Sequence, residues 1–371
     1  MIETKKNNLT RVLRNGYEDK LIPLHSLDLS KCNTVNDIIT AMRYSSFVSR
    51  EAAVAADVLY EMAVDKECLR VLTISGAMTI AKMGLIICEM IENKMIDMIV
   101  CTGALMSHGL IENAGMMHFK NPRNITDEEL YKKGYDRVHD TIELESNFNN
   151  AAELVYKVLE RIDSNKPLSS FAITRELGKY LYACNKGRGI LISANLHNVP
   201  VYIPAFTDSE MGLDFALFNR LRLRNNKKPL QFDSFLDLED YTEKVFSAKK
   251  IGIFTIGGGV PRNWAQQVGP YLELIKMRLG GDKVYSTSKS KDDPYFKRFS
   301  YAVRICPDPV YLGGLSGCSY SEGVSWGKFV PESEGGKFSE VHSEATIALP
   351  FIVKAVLERI QEKENKVIKD V

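Results

Sequence analysis

Apolar residues in this sequence follow two alternating patterns. Some short runs are almost entirely apolar and end in small or polar residues, which is typical of strands buried on both faces. These candidate strands are residues 71–74, 95–100, 199–206, 251–256 and 300–306. Between the first two runs, Ile80, Met83, Ile87, Met90 and Ile91 recur at the spacing of an amphipathic helix. Strands separated by helices predict an α/β fold, a mostly parallel sheet with helices on both faces.

Two further helices are predicted near the ends of the chain. Thr34 is a candidate helix cap with Asp37 three residues on, and the alanine-rich stretch 51–62 predicts that one long helix continues from there. Residues 345–360 predict a closing helix. Pro350 is compatible with it because it falls in the first turns.

The chain is expected to form one large domain. Residues 1–33 are polar and irregular, so they are predicted to be an N-terminal arm. No low-complexity linker or change of composition divides residues 34–371, which are therefore predicted to be a single domain.

Composition and charge exclude several classes of partner. Hydrophobic residues make up 45% and charged residues 26% of the 371 residues, as in ordinary globular proteins. The net charge of +1 gives no reason to expect nucleic acid or an anionic membrane surface as a partner. No apolar run reaches the ~18 residues of a membrane span, and the N-terminus does not resemble a secretory signal.

Cysteines and histidines indicate neither a disulfide framework nor a metal centre. The seven cysteines are widely spaced and include no C-x-x-C pair, which favours a reducing compartment, the cytoplasm by default. The six histidines lack the spacing of metal ligands on one helix, so no metal is expected.

Small and polar residues follow four of the candidate strands. They are Ser75-Gly76, Thr102-Gly103, Thr207-Asp208 and Gly257-Gly258-Gly259. Ligands of open parallel sheets bind at the carboxyl ends of the strands, and glycine there allows the backbone to approach a phosphate. Glycine is also common in ordinary strand-to-helix turns, and no complete G-x-G-x-x-G motif is present. Four such ends together favour a nucleotide site.

The stretch 321–328, Ser-Glu-Gly-Val-Ser-Trp-Gly-Lys, contains a candidate for covalent chemistry. Lys328 lies two residues after Trp326, and Glu322 lies six residues before Lys328. Desolvation beside an aromatic ring lowers the pKa of an ammonium group and frees its lone pair to attack an imine or a carbonyl carbon. The alternative is a surface lysine after a turn, with Trp326 in the core.

These residues resemble the deoxyhypusine synthases, in particular the divergent deoxyhypusine-synthase-like branch of prokaryotes. The resemblance covers residues 69–355. Residues 322–328 match the E-A-V-S-W-G-K motif that contains the family's catalytic lysine. The other matches are residues 204–208 (P-A-F-T-D against P-A-L-T-D), 257–260 (G-G-G-V), 301–303 by their spacing, and 344–346 (E-A-T against D-A-[ST]).

The resemblance implies a Rossmann-like, NAD-binding transferase, active as a homotetramer with sites at a dimer interface. In this family, NAD takes hydride from spermidine, and the lysine captures the resulting butylimine as 1,3-diaminopropane leaves. The aminobutyl group then passes to an acceptor amine. Lys328 would be the nucleophile, Glu322 an acid/base or ammonium partner, and Trp326 a wall that excludes water.

Cofactor contacts carried over from the family fall at the strand ends. They would be Ser75, Gly76, Ala77, Met78, Thr102, Gly103, Ala104, Asp208, Gly257, Gly258, Gly259, Glu344 and Ala345. Glu344 replaces an aspartate and could still accept hydrogen bonds from ribose hydroxyls.

The substrate end departs from the family pattern. Where the family has F-D-G-S-D-S-G, with two aspartates that hold the polyamine, residues 311–317 read Tyr-Leu-Gly-Gly-Leu-Ser-Gly. The substrate-binding candidates are therefore Leu312, Leu315, Ser316 and Gly317, together with Trp326. A doubly charged amine without its counter-charges would bind several kcal/mol more weakly.

Three further family positions also change. The family's catalytic histidine corresponds to Asn263, and its paired glutamates correspond to Ser107 and His108. Three hypotheses therefore stay open. They are transfer of an aminobutyl group through an imine of Lys328 to a protein lysine, transfer to a small diamine in the manner of homospermidine synthesis, and NAD binding without catalysis.

Overall fold

Nine strands and fourteen α-helices are found in the computed structural model, which describes residues 13–122, 124–279, 293–314 and 316–369. The strands are β1 (Cys68–Ile74), β2 (Met98–Cys101), β3 (Phe119–Lys120), β4 (Tyr135–Val138), β5 (Thr141–Leu144), β6 (Val201–Tyr202), β7 (Lys250–Ile256), β8 (Phe299–Ile305) and β9 (Lys337–Val341). The helices are α1 (Val35–Met42), α2 (Phe47–Val64), α3 (Gly84–Glu92), α4 (Gly103–Asn113), α5 (Asp127–Lys132), α6 (Glu145–Leu159), α7 (Ser170–Ala183), α8 (Ile190–Leu196), α9 (Glu210–Arg224), α10 (Phe235–Ser247), α11 (Gly259–Gln266), α12 (Val268–Leu279), α13 (Tyr320–Ser325) and α14 (Ala345–Lys369).

Six strands form the central sheet, in the order β6-β2-β1-β7-β8-β9. Every neighbouring pair is parallel, with Val71 of β1 opposite Met98 of β2 and Ile253 of β7. The predicted parallel sheet is thus confirmed, with β1 and β7 at its centre. The carboxyl ends of all six strands therefore lie at one edge.

Side chains along the central strands alternate between two cores. Leu72 and Ile74 of β1 lie in the larger core, which includes residues of α2, α3 and α14. Val71 lies in the smaller core with Tyr241 of α10 and Val268 of α12. Helices therefore cover both faces of the sheet, as the uninterrupted apolar runs predict.

One predicted strand is shorter than expected, and strands of both sheets were not predicted. The strand expected at 199–206 is only Val201–Tyr202, because Pro200 and Pro204 on either side have no N–H group for the ladder. The edge strand Lys337–Val341 was missed because only Phe338 and Val341 of its five residues are apolar, so it has no continuous apolar run. A three-stranded antiparallel sheet, β3-β5-β4, was also missed because its strands are short and largely polar.

The first predicted helix is two helices. Thr34 caps α1 in a reciprocal capping box with Asp37, as expected. The chain then turns, and α2 begins at Phe47, whose φ of 58° breaks helical geometry. The described part of the predicted arm, residues 13–33, contains turns and one 3-10 helix, Leu29–Lys31. The boundary at residue 33 stays a prediction.

No helix in the described ranges is both long and apolar enough to cross a membrane. Two more 3-10 helices, Val310–Leu312 and Glu332–Glu334, lie on either side of α13. The first belongs to the segment that approaches the glycine loop after β7.

Candidate functional site

The predicted cofactor residues all follow carboxyl ends of strands in the central sheet. Those ends are tied to one another, since the Ser75 N–H donates to Ile256 O at 3.0 Å and the Thr102 N–H donates to Ile74 O at 3.3 Å. Residues from β1, β2 and β7 are thus held side by side at the edge where ligands of parallel sheets bind.

The triple glycine after β7 is shaped by close contacts. The Gly258 N–H donates to Ser75 Oγ at 2.9 Å, and Gly257 adopts a φ of 78°, which favours glycine. A Cβ on Gly258 would lie 2.5 Å from Ser316 Cα. Glycine is therefore required here for two loops to meet, and Ser316 of the substrate edge lies against the proposed cofactor edge.

Several features of this edge fit a dinucleotide. A Cβ built on Gly76 or Gly259 would meet no atom within 4 Å, and both residues have positive φ, so backbone is exposed to a ligand there. Thr102 Oγ1 is buried without a hydrogen-bond partner among the described residues. A buried hydroxyl without a partner is costly unless a ligand or water satisfies it.

Other predicted cofactor residues have structural tasks that sequence reasoning did not foresee. The space beside Gly103 is filled, since its Cβ would lie 2.4 Å from Ser209 Oγ. Gly103 therefore allows α4 to pack closely against the Ser209 cap of α9, and its predicted contact with the cofactor stays a prediction. Glu344 Oε2 accepts the Ile347 N–H at 3.2 Å, so its carboxylate caps the start of α14.

The remaining cofactor candidates differ in exposure. Ala77 and Asp208 are exposed, Met78 and Ala104 are half-buried, and Ala345 is buried. Ala77 and Met78 lie in a turn rather than in a helix, because α3 begins only at Gly84. Among the described residues, no helix therefore starts directly after β1, and the helix that was predicted to include Ile80 and Met83 begins only after them.

Lys328 lines a cavity of about 210 Å³ between α11 and α13. Two other predicted catalytic residues, Glu322 and Asn263, line it too, and so does Gly259 of the glycine loop. The other lining residues are Arg262, Gln266, Gln267, Cys318, Ser319, Gly323 and Trp326. The tertiary structure thus joins the predicted lysine site to the predicted cofactor edge.

Lys328 is fixed by its backbone. Its N–H donates to Gly323 O at 3.1 Å, and its carbonyl accepts the Phe299 N–H at 2.9 Å. Gly327 adopts a φ of 71° and ends α13, whose first turn is capped by Ser319. Lys328 therefore lies beside the amino end of β8, and only its side chain reaches toward the glycine loop.

The surroundings of the Lys328 side chain lower the pKa of its ammonium group. Burial lowers the pKa of the ammonium, Arg262 acts in the same direction, and Cys318 and Glu322 oppose them. The Nζ lies 5.9 Å from the centre of the Trp326 ring. A lysine with a lowered pKa in a cavity is suited to nucleophilic amine chemistry.

Two arginines that were not predicted as site residues hold the substrate edge, which is the loop that contains Ser316 and Cys318. Arg304 Nη1 donates to the carbonyls of Ser316 at 2.7 Å and Cys318 at 2.5 Å, and Arg262 Nη2 donates to Cys318 O at 2.6 Å. Arg304 also pairs with Glu340 at 2.9 Å. Arg304 lies inside the predicted strand 300–306, and this position was the available signal of its role. A buried guanidinium needs several hydrogen-bond acceptors, so it must be surrounded by polar groups.

The predicted substrate residues are only partly brought together. Ser316 and Gly317 lie near the glycine loop, but Leu312 is 67% exposed and does not line the Lys328 cavity. Leu315 lies outside the described residues. Trp326 is 68% exposed, so within one chain it does not exclude water as expected.

The fold and the site together define an α/β protein with a glycine-rich sheet edge beside a lysine cavity. The sequence profile described as deoxyhypusine synthase matches residues 37–356. The chain therefore belongs to the deoxyhypusine synthase family, which is a family of transferases.

Curated relatives and a solved structure agree with this assignment. The chain is 32% identical over 316 residues to "Probable deoxyhypusine synthase 2" of Archaeoglobus fulgidus, covering 85% of this chain and 96% of that protein. It is 29% identical over 343 residues to "Deoxyhypusine synthase-like protein" of Elusimicrobium minutum, covering 92% and 85%. A crystal structure provisionally assigned as a deoxyhypusine synthase of Entamoeba histolytica superimposes with a TM-score of 0.55 at 15% identity, covering 90% and 96%.

Proposed function

We propose that this protein is an NAD-dependent aminobutyl transferase that acts through an imine of Lys328. The observation that carries the proposal is the cavity in which Lys328, with its lowered pKa, meets Gly259 of the glycine loop. The open backbone at Gly76 and Gly259 and the buried Thr102 hydroxyl support a dinucleotide at the adjoining edge.

The chain's own residues supply the nucleophile and its surroundings. NAD, when bound, would accept a hydride from the donor amine and return it at the end. Neutral Lys328 would attack the donor imine, and cleavage of the carbon–nitrogen bond would release a diamine as the aminobutyl group joins Nζ. An acceptor amine would then displace Lys328. Glu322 is the carboxylate on the cavity wall and can take up and return the protons.

Asn263 cannot replace a histidine in proton transfer. Its amide donates and accepts hydrogen bonds but does not titrate near neutral pH. We therefore assign Asn263 the task of orienting the amine, and Glu322 that of moving the proton. Cys318 lies near Glu322, but burial raises the pKa of its thiol, so it stays protonated.

A second copy of the chain is proposed to complete the site. Apolar side chains near the cavity are strongly exposed, including Tyr311 at 86%, Leu312 at 67% and Trp326 at 68%. Large exposed apolar patches typically mark interaction surfaces. A homodimer contact here, within a homotetramer, would cover Trp326 and allow it to exclude water.

Borohydride trapping followed by peptide mass spectrometry tests the proposal. With NAD and spermidine, an aminobutyl adduct is expected on Lys328 and is lost in Lys328→Arg. Lys297 is the matched control, because burial also lowers its pKa although it lies outside the cavity. Binding of NAD without any adduct across a panel of polyamines would indicate a non-catalytic protein.

The acceptor is identified by its product. Incubation with NAD, spermidine and putrescine would yield homospermidine if a small diamine is the acceptor. Transfer to a candidate protein lysine would instead add an aminobutyl group to that protein. The two readouts distinguish the acceptors, which the trapping experiment does not do because it detects only the Lys328 imine.

A further inference from the structure

Three buried side chains outside the Lys328 cavity converge between α4 and the small sheet. His108 comes from α4, His118 from the segment before β3, and Glu143 from β5. One nitrogen or oxygen atom of each lies within 4.8 Å of the corresponding atoms of the other two. The His118 and Glu143 side chains are each 1% exposed. Among the described residues, this is the group of three metal-ligating side chains whose donor atoms lie close enough together to hold one ion.

Glu143 presents one oxygen to both histidines. Its Oε1 accepts hydrogen bonds from Asn147 Nδ2 at 2.8 Å and from the Leu144 N–H at 2.9 Å. Its Oε2 lies 2.5 Å from His118 Nε2 and 3.4 Å from His108 Nδ1. His118 Nε2 is therefore buried in contact with this carboxylate oxygen.

The donor set selects a class of ion. Two imidazole nitrogens and one carboxylate oxygen suit first-row transition metals, whereas calcium and magnesium prefer oxygen ligands alone. Zinc takes such ligands at about 2.0–2.2 Å, so ligand atoms around it lie roughly 3.3 Å apart. The 3.4 Å between His108 and Glu143 fits this spacing, and His118 would move outward by less than about 1 Å.

We propose that His108, His118 and Glu143 bind a divalent transition-metal ion, with zinc as its representative. The site would join α4, which begins at the proposed cofactor edge, to the small antiparallel sheet. Three protein ligands leave a fourth position for water. The inference does not depend on the proposed transferase activity, because its ligands lie outside the Lys328 cavity.

Lys82 competes with the metal. Its Nζ lies 2.8 Å from His118 Nδ1 and 3.4 Å from Glu112 Oε1. An ammonium can only donate, so His118 accepts through Nδ1 in this arrangement and carries its proton on Nε2. A metal at Nε2 needs that proton on Nδ1, so Lys82 must turn toward Glu112. Its side chain is 47% exposed, and this movement is unhindered by burial.

The competition gives variants with opposite effects on metal binding. Calorimetric titration of the chelator-treated full chain with zinc chloride is expected to show one site. His118→Gln and Glu143→Gln should each weaken binding at least tenfold, while Lys82→Gln should strengthen it several-fold. His197→Gln, an exposed histidine outside the cluster, is the matched control and should leave the affinity unchanged.

Cobalt provides a readout that does not depend on how stable the variants are. Cobalt(II) added to the wild-type chain should give the visible absorption bands of a low-coordinate nitrogen and oxygen site, and His108→Gln should change them. The proposal is overturned if wild-type protein binds neither ion more tightly than the His118→Gln variant. Weaker binding in Lys82→Gln would contradict the competition between Lys82 and the metal for His118.

Discussion

Arg304 is 1% exposed, and its guanidinium satisfies three acceptors at once. Two of them are the carbonyls of Ser316 and Cys318, and the third is the carboxylate of Glu340. Glu340 also accepts the Tyr320 N–H at the start of α13. This one residue therefore fixes the loop between β8 and α13 that brings Ser316 to Gly258.

We expect Arg304→Met to destabilise the fold by about 3–5 kcal/mol, because it leaves the Glu340 carboxylate without its counter-charge and removes one donor from each of the two carbonyls. Urea unfolding measures the change. Lys337→Met, on the neighbouring edge strand β9, removes an exposed pair with Glu61 and should cost less than about 1 kcal/mol. Equal losses in the two variants would contradict the role of Arg304. Adding Glu340→Gln to Arg304→Met should recover part of the loss.

Gly258 is the point where the two halves of the site touch. Gly258→Ala would push its methyl group against Ser316 Cα, and overpacking of this kind costs about 1–3 kcal/mol. Thermal unfolding should show a lower Tm, and NAD should bind more weakly because the loop shifts. Gly314→Ala is the control, since no atom lies within 4 Å of its Cβ position. If both variants behave like the wild type, the loops do not depend on this contact.

At the scale of elements, α9 contains an unfavourable carboxylate pair. Asp214 lies one turn after Glu210, and burial, followed by the Glu210 charge, raises the pKa of Asp214 to about 6. Glu210 Oε2 is itself buried without a hydrogen-bond partner. The folded protein therefore holds the Asp214 proton more tightly than the unfolded chain does.

The raised pKa of Asp214 predicts how the stability of the fold changes with pH. Because the folded-state pKa of Asp214 is raised, its contribution to stability is lost as pH rises from about 4 to about 6. Asp214→Asn removes that loss, so the variant should match the wild type near pH 4. At pH 7 it should be more stable by about 1 kcal/mol, a value reduced from the full shift because the group is only half-buried. Urea unfolding across this range measures the difference, and a constant offset would contradict the assignment.

The capping box of α1 offers a second test at this scale. Thr34 accepts the Asp37 N–H at 3.0 Å, and the Asp37 carboxylate accepts the Thr34 N–H at 2.9 Å. Thr34→Ala should cost about 1 kcal/mol of unfolding free energy in urea. Thr141→Ala, on the small sheet, removes no helix cap and serves as the control. A cost for Thr34→Ala no larger than the control's would show that α1 is held by packing against α14 alone.

At the scale of the whole molecule, the arm and the substrate edge both present apolar surface. Residues 13–33 expose several large side chains, including Leu21 at 65% and Ile22 at 82%. Such surface is costly in water unless another chain covers it. Self-association would cover it together with Trp326.

The proposed assembly is tested by sedimentation. The wild-type chain is expected to sediment as a tetramer, and Leu21→Ser combined with Ile22→Ser should shift it toward smaller species. Leu221→Ser combined with Leu223→Ser, two exposed residues on α9, is the matched control and should leave the mass unchanged. A monomeric wild-type chain would refute the assembly and, with it, the proposed covering of Trp326.

Local physics explains which parts of the fold the sequence predicts. A strand buried on both faces needs a continuous apolar run, so β1, β7 and β8 are evident without a structure. The capping box at Thr34 is equally local. The short strand β6 and the largely polar strand β9 depend on pairing with distant strands, so their sequences alone give little indication of a strand.

The same distinction holds for the site. The strand-end glycines and the motif around Lys328 are each contiguous in sequence, so their residue types and chemistry can be identified without a structure. Contacts between distant segments cannot be identified from the sequence in this way. The filling of space at Gly103 by Ser209, the capping of α14 by Glu344 and the support of Ser316 by Arg304 required the folded chain.

Sequence alone thus determined the fold class, the family and the identity of the candidate nucleophile, because each depends on short-range pattern or contiguous motif. Tertiary structure alone decided that Lys328 faces Gly259 across one cavity. It also brought His108, His118 and Glu143 together across 35 residues of chain. Spacing along the sequence could not show that cluster, because its members come from different elements whose packing fixes their distances.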